Sequence, residues 1–289
     1  MKNVLIPTDF SDNAWNAVSY AVSFFKKERC NFYILHVCRP NAMVGGDIAY
    51  TPNTRIVQRT VLSDAETKMN ELVERAEALS GNSKHNYISL IDYNYLIDSI
   101  KEFVREKEIN LIVMGTKGAS GLREVVIGSN TGDVITRVPC PELVIPEDAV
   151  FESPAQIVFP TDFNLLYNAD ILDTLVHICN MHNAHIHVLF VTKNKEKLNA
   201  EQVANRELLL GYLSDCPCTF HTTTNNRLEN AIQDFVKTHD VDMIAMVAKN
   251  LNFFQQIFFR PTVENISYHT KVPFLVLHEK SIQHNHKKL

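Results

Sequence analysis

The segment from Met114 to Thr131 carries residue types and spacings suited to holding phosphate. An apolar run, Ile109-Asn110-Leu111-Ile112-Val113-Met114, leads through Gly115-Thr116-Lys117-Gly118 to Gly128-Ser129-Asn130-Thr131, where a new helical pattern begins. The order is strand, glycine-bearing loop, helix N-terminus. Gly115 and Gly118 permit positive φ and let backbone N–H groups approach a ligand with no Cβ between them. The first N–H groups of a helix opening at Gly128-Ser129 have no partner within it, and its dipole favours an anion. Lys117 and Arg123 are candidate counter-charges, in a loop where a cation can also be simply solvated.

Other chemistries have weaker support. No Gly-Lys-Ser or Gly-Lys-Thr is present for a Walker loop, and the first strand-to-helix turn, Thr8-Asp9-Phe10-Ser11-Asp12, has no glycine, which disfavours a dinucleotide Rossmann site. His182, His185 and His187 are close in sequence, and the last two share one side of a strand, but no Asp, Glu or Cys stands beside them to complete a metal site. The six cysteines are too few for a disulfide scaffold, and Cys216-Pro217-Cys218 lacks the usual zinc or redox spacing. They read as reduced thiols.

Strands and helices must position the loop. Lys2–Pro7 is a near-continuous apolar run, as a strand buried on both faces would be. Ala14, Ala17, Val18, Ala21, Val22, Phe24 and Phe25 then recur at helical spacing behind Ser11, a capping residue. Strands are expected at Phe32–Val37, Tyr87–Ile91 and Glu142–Pro146, with helices over 54–79, ending before Gly81, and around Leu96–Val104. Strands alternating with helices mean a parallel sheet covered on both faces.

At Ile157-Val158-Phe159-Pro160-Thr161-Asp162-Phe163 the chain begins again, repeating Val4 to Phe10 almost letter for letter. Asp162 answers Asp9 at a spacing of 153, whereas Ile244 answers Ile112 at 132, so the second copy is shorter by 21 residues. The expected layout is a domain over 1–147, a second over 154–280 and a polar tail over 281–289, the two domains pairing as a pseudo-dimer. In the second copy Gly115 becomes Val247, Gly118 becomes Asn250, Gly128 becomes Arg260 and Ser129 becomes Pro261, so the phosphate cradle is lost there. The run 251–259, rich in Phe, is a candidate filler of the empty site or an interface.

Pro7-Thr8-Asp9, Leu35-His36-Val37, Leu111-Ile112-Val113-Met114-Gly115 and the spacing Gly-x2-Gly-x9-Gly-Ser together resemble the universal stress protein family, and the duplication resembles its tandem members. The resemblance implies an α/β fold of two doubly wound five-stranded parallel sheets with strand order 3-2-1-4-5. It also implies ATP at the carboxyl ends of the first and fourth strands, with Mg carried on the phosphates. Pro7, Thr8 and Asp9 would lie under the adenosine, and Val37 would offer backbone groups to the adenine edge. Met114 ends the strand below the loop. Gly115, Thr116, Lys117, Gly118, Ser120 and Gly121 would wrap the phosphates with Arg123 nearby, and Gly128, Ser129, Asn130 and Thr131 would close on them. Asp9 also stands where a helix cap belongs, and His36 reads as a core histidine.

A net charge of −5 with scattered basic residues gives no nucleic-acid footprint, and no run is apolar enough to span a bilayer. The expectation is a cytoplasmic, ATP-binding stress-response or regulatory protein, with a homodimer among its possible assemblies. A slow ATPase and a non-nucleotide scaffold are the alternatives. No general base or Arg finger is placed by a motif, so enzymatic activity is open at most to weak ATP hydrolysis.

Overall fold

The computed structural model of the chain describes residues 1–39, 52–116, 128–192, 197–225, 228–248 and 271–278, the side chains of 52–61 and 229 aside. The expectations on Lys117, Gly118, Ser120, Gly121 and Arg123, on Asn250, Arg260, Pro261 and the 251–259 run, and on the tail lie outside the described residues.

Two compact units divide the chain, the first built on Met1–Val138 and Leu143–Phe151, the second taking up from Glu152. The first contains β1 (Lys2–Pro7), α1 (Asp12–Phe24), β2 (Cys30–Val37), α2 (Pro52–Ser80), β3 (His85–Asp92), α3 (Leu96–Glu106), β4 (Leu111–Gly115), α4 (Ser129–Arg137) and β5 (Glu142–Ile145). Its strands lie in the order β3-β2-β1-β4-β5. β1 runs parallel to both β2 and β4, and β2 parallel to β3. Val4, Leu5 and Ile6 are wholly buried, as a central strand with helices on both faces requires.

Local signals account for the element ends. Ser11 accepts a hydrogen bond from Ala14 N–H and caps α1, whose inner face buries Ala14, Ala17, Val18, Ala21 and Val22. Gly81, at φ +49°, follows the last residue of α2 in the left-handed conformation that glycine adopts without strain. At the opposite end of the sheet, Asn3, Asn31 and Asn86 stand in register on three strands. Asn86 Nδ2 donates to Asn31 Oδ1 at 3.0 Å, and Asn31 Nδ2 to Asn3 Oδ1 at 2.9 Å. Asn3 Nδ2 in turn donates to Lys107 O at 2.7 Å, tying that ladder to the connection before β4.

The second unit repeats the plan with β6 (Gln156–Thr161), α5 (Ala169–His182), β7 (His185–Thr192), α6 (Ala200–Tyr212), β8 (Cys218–Thr224), α7 (Leu228–Thr238), β9 (Met243–Val247) and β10 (Phe274–Leu277). Its order, β8-β7-β6-β9-β10, is that of the first unit copy for copy. The pairings β6–β7, β6–β9, β7–β8 and β9–β10 are parallel. Most of the shortening falls between its second and third strands, where the 13 residues of α6 answer the 29 of α2.

Gly115 is needed for a different reason from the one its sequence context suggests. It is not in the left-handed region; instead, a Cβ built on it would meet the Asn13 side chain of α1 at 2.8 to 2.9 Å. The end of β4 and the first turn of α1 therefore touch backbone to side chain. Replacing Gly115 by Ala forces that contact apart, at a cost of roughly 1–3 kcal/mol by analogy with overpacked cores. Urea unfolding followed by Trp15 emission should show the loss, and adding Asn13→Ala to Gly115→Ala should recover most of it. Trp15 suits the purpose, being the single tryptophan and lying 3.9 Å beneath the Arg75 guanidinium of α2.

Candidate functional site

Beyond Pro7, β1 turns into α1 through a tight, internally bonded link. Thr8 is buried and donates its N–H to Leu35 O at 2.8 Å, while its Oγ1 accepts from Phe10 N–H at 3.1 Å. That bond holds Phe10 at φ 63°, a left-handed conformation unusual for an aromatic residue. Asp9 is exposed at the tip, with Oδ1 accepting from both the N–H and the hydroxyl of Ser11. It thus orients the residue that caps α1. The Phe10 ring lies 4.3 Å from that of His36, whose Nδ1 contacts Thr8 O at 2.8 Å.

The end of β2 complements this turn. Its last pair with β1 is Pro7 with Leu35, and Cys38 N–H bonds across to Asp92 O of β3. By the alternation of a strand, the N–H and C=O of Val37 face the β1 side, past the point where β1 has left the sheet. These are hydrogen-bonding groups at the edge of the crevice between the ends of β1 and β4. In an open doubly wound sheet a ligand binds where connections diverge in this way.

On the far side of the crevice, Gly115 and Thr116 gather three elements. The Thr131 hydroxyl of α4 donates to Gly115 O at 2.8 Å, Thr116 N–H donates to Ile145 O of β5 at 2.9 Å, and Gly128 N–H donates back to Thr116 O. Thr116 and Gly128 are therefore held together. α4 starts at Gly128, which has extended backbone (φ −64°, ψ 154°) and supplies no side-chain cap. The N–H groups of Ser129, Asn130 and Thr131 precede the first intrahelical bond, from Gly132 N–H to Gly128 O, and are left for a partner outside the helix. Ser129 and Asn130 are exposed.

Several expected ligand residues have other duties. Thr116 has both backbone groups committed to the protein and its side chain buried, so it ties β4 to β5 and to the start of α4. The buried Thr131 hydroxyl ties α4 to β4. Met114 is buried beneath them. Pro7 is buried at the end of β1, Val37 and Gly128 are half-buried, and Asp9, Ser129 and Asn130 are exposed. Arg39, which sequence reasoning passed over, reaches from beyond β2 to α4, its Nη2 donating to Asn130 Oδ1 at 3.3 Å. No spacing signal marks it, because it is brought in by the fold from the other strand.

In the second unit the corresponding crevice end is closed. Thr161 Oγ1 accepts from Phe163 N–H at 2.9 Å and Phe163 has φ 57°, repeating the Thr8–Phe10 turn. Here, however, Phe163 is buried and stacks on Phe190, which stands where the first unit has His36. Four residues are inserted before the cap of α5, since Asn168 answers Ser11 at a spacing of 157 against 153 for the strand. They include Tyr167, buried, with its hydroxyl bonded to Thr161 Oγ1. From α6, Gln202 and Asn205 donate to the carbonyls of Asp162 and Phe163 at 2.9 and 2.8 Å. Ala248 N–H keeps the bond to Leu277 O that answers Thr116 to Ile145, but Val247 replaces Gly115.

The three histidines near 185 do not gather. His182 bonds through Nδ1 to Ser153 Oγ at 2.9 Å, while His185 and His187 lie ring to ring at 4.7 Å on β7. Among the described residues no group of three or more His, Cys, Asp or Glu is placed to hold a metal ion. No helix among them is long and apolar enough to cross a membrane.

Comparison with known proteins agrees with this architecture. The profile of the universal stress protein family matches residues 1–146, half of the chain. Universal stress protein MJ0531 of Methanocaldococcus jannaschii is 26% identical over 144 residues, which cover 50% of this chain and 81% of that protein. Universal stress protein YxiE of Bacillus subtilis is 27% identical over 154 residues, covering 49% of this chain and 97% of that one. A universal stress protein from Archaeoglobus fulgidus, known from its crystal structure, matches 96% of this chain and 98% of its own with a TM-score of 0.68 at 16% identity, a likeness of fold. The chain belongs to the universal stress protein family, as a member about twice the length of its single-domain relatives.

Proposed function

We propose that the first unit binds ATP in the crevice between the ends of β1 and β4, and that the protein is a stress-response regulator working through this occupancy in the cytoplasm. The observation that carries the reading is the start of α4. Gly128 closes the loop by its own N–H, offers no side chain to cap the helix, and leaves three N–H groups and the positive end of the helix dipole beside exposed Ser129 and Asn130. These groups suit the phosphates, and the backbone of Val37 suits an adenine edge. Magnesium would be held by the phosphates themselves and would offset their charge.

Arg39 adds a cation at the same helix end, free to exchange a 3.3 Å bond with a neutral amide for a charge-assisted bond to phosphate. The second unit, with its crevice end filled by Phe163, Phe190 and Tyr167, takes no nucleotide in this reading. The chain then carries one nucleotide, and regulation follows from whether that place is full.

Titration calorimetry with ATP and magnesium tests the reading. The native chain should bind ATP, Gly128→Arg should abolish binding by obstructing the helix start, and Arg39→Ala should weaken it by roughly 10- to 150-fold, the value of one charge-assisted bond. Unaltered affinity in Gly128→Arg would remove the α4 N-terminus from the site. Salt should weaken the native interaction more than that of Arg39→Ala, because the variant lacks one screened charge. Analysis of the recovered ligand separates a slow ATPase, which would return ADP, from a binding protein, which returns ATP.

A further inference from the structure

On the second unit, four imidazoles from three parts of the chain meet on one side of the β7–β8 edge. His187 of β7 lies with ring centroids 4.7 Å from His185, 5.1 Å from His221 of β8 and 5.6 Å from His239, which follows α7. His221 and His239 are 5.4 Å apart, and Phe235 of α7 stacks on His239 at 3.8 Å with the rings 8° from parallel. Phe235 also meets His187 and His221 edge-on. These rings form one part of the seat of α7 on the two strands, beside the buried Ala231, Ile232 and Val236.

The hydrogen bonds assign the protons. His187 Nε2 is 2.8 Å from Gln156 Oε1, an oxygen that can only accept, so this nitrogen carries the hydrogen. In the neutral ring Nδ1 must then accept, and it does so from His221 Nε2 at 3.0 Å. His239 Nδ1 lies 3.2 Å from Phe235 O and donates to it, while His185 Nε2 meets Thr219 Oγ1 at 2.8 Å. A proton added to His187 can go only to Nδ1, where it faces the N–H of His221. Two donors then oppose each other across a hydrogen-bond distance for as long as His221 keeps its proton on Nε2, and once His221 is protonated as well no tautomer relieves the clash.

Little on the surrounding elements would compensate such a charge. β6 offers the neutral Gln156; the neighbouring Asp242 has Oδ2 already accepting from Ala155 and Gln156 N–H. β8 offers Thr219 and His221, and α7 offers Asp234, an exposed carboxylate on the wall of a cavity of about 360 Å³ between β8 and α7 that His221 and His239 also line. The first unit has no counterpart, since Tyr33, Leu90 and Lys107 stand where His187, His221 and His239 do.

We propose that His187 and His221, packed against His185, Phe235 and His239, form an acid-sensitive clasp that holds α7 to the β7–β8 edge when these two rings are neutral and releases it when they take up protons, widening the cavity between β8 and α7. Burial, and then the neighbouring imidazoles His185, His221 and His239, push His187 down to about 4 from its ordinary 6.5, and burial also lowers His221. The sign follows: both rings bind protons more readily once released, so the clasp's stability is fully present above about pH 6.5 and is lost as pH falls towards about 4.

Amide hydrogen exchange on the full chain at pH 7 and pH 5, corrected for the intrinsic pH dependence of exchange, tests this. Opening of α7 (Leu228–Thr238) and β8 (Cys218–Thr224) should increase roughly tenfold on acidification, a value set by the His187 shift and reduced for the part of the ring that solvent reaches. α3 (Leu96–Glu106), the counterpart of α7 in the first unit, should change little. In His187→Phe/His221→Leu the pH dependence of α7 and β8 should vanish, and in the milder His239→Gln it should shrink, both variants being checked for native exchange elsewhere at pH 7. Equal protection of α7 at the two pH values in the native chain, or a pH dependence that survives in both variants, would overturn the proposal.

Discussion

The end of β4 leaves no room for a side chain at Gly115, and the layout of the first unit follows from that closeness. Because Asn13 lies against the Gly115 Cα, α1 begins hard by the end of the central strands, and the turn that feeds it, Thr8 to Ser11, is brought to the same crevice. The next residue binds β5 through its N–H and the start of α4 through its carbonyl, while Thr131 secures the carbonyl of Gly115. Packing and hydrogen bonding at two consecutive residues thus place an uncapped helix N-terminus opposite the exposed edge of β2. The proposed anion site would then be a consequence of how the sheet is covered.

The two copies show what happens when that constraint is relaxed. The second retains the turn at Thr161–Phe163 down to its left-handed phenylalanine, and also the bond from β9 to β10, so the framework has survived duplication. What changes is the filling. Val247 replaces the glycine, Phe190 replaces His36, and Tyr167 enters on a four-residue insertion, burying apolar and aromatic surface where the first unit keeps a crevice. Buried aromatic area stabilises a fold but excludes a polar ligand.

Much of this was legible in the sequence, and what was not has identifiable causes. Strand and helix positions came from apolar runs and helical spacing, and strand order from the duplicated motifs and the family they resemble, because backbone periodicity is a local property. Gly115 and Gly128 were marked as special by spacing, but the reason at Gly115 is a neighbour 102 positions earlier, Asn13, and no local pattern reports such a contact. Arg39 and Asn130 meet across 91 positions for the same reason. The histidines misled by proximity: His182 ends a helix and turns to Ser153, whereas His221 and His239, far along the chain, join His187. Sequence drew attention to 251–259, which lie outside the described residues, as a filler of the second site or an interface, but not to Phe163, Phe190 and Tyr167, which meet at the end of β6. Glu142 went unnoticed as one polar letter in an apolar strand, yet its carboxyl is fully buried, and burial pushes its pKa well above the usual carboxylate range.

The central claim is one open site in the first unit and none in the second. Native mass spectrometry of the full chain, titrated with ATP and magnesium well above the dissociation constant, counts occupied sites directly. The account predicts a mass increase of one nucleotide per chain that saturates there. A second equivalent binding with comparable affinity, or no adduct at any concentration, would contradict it.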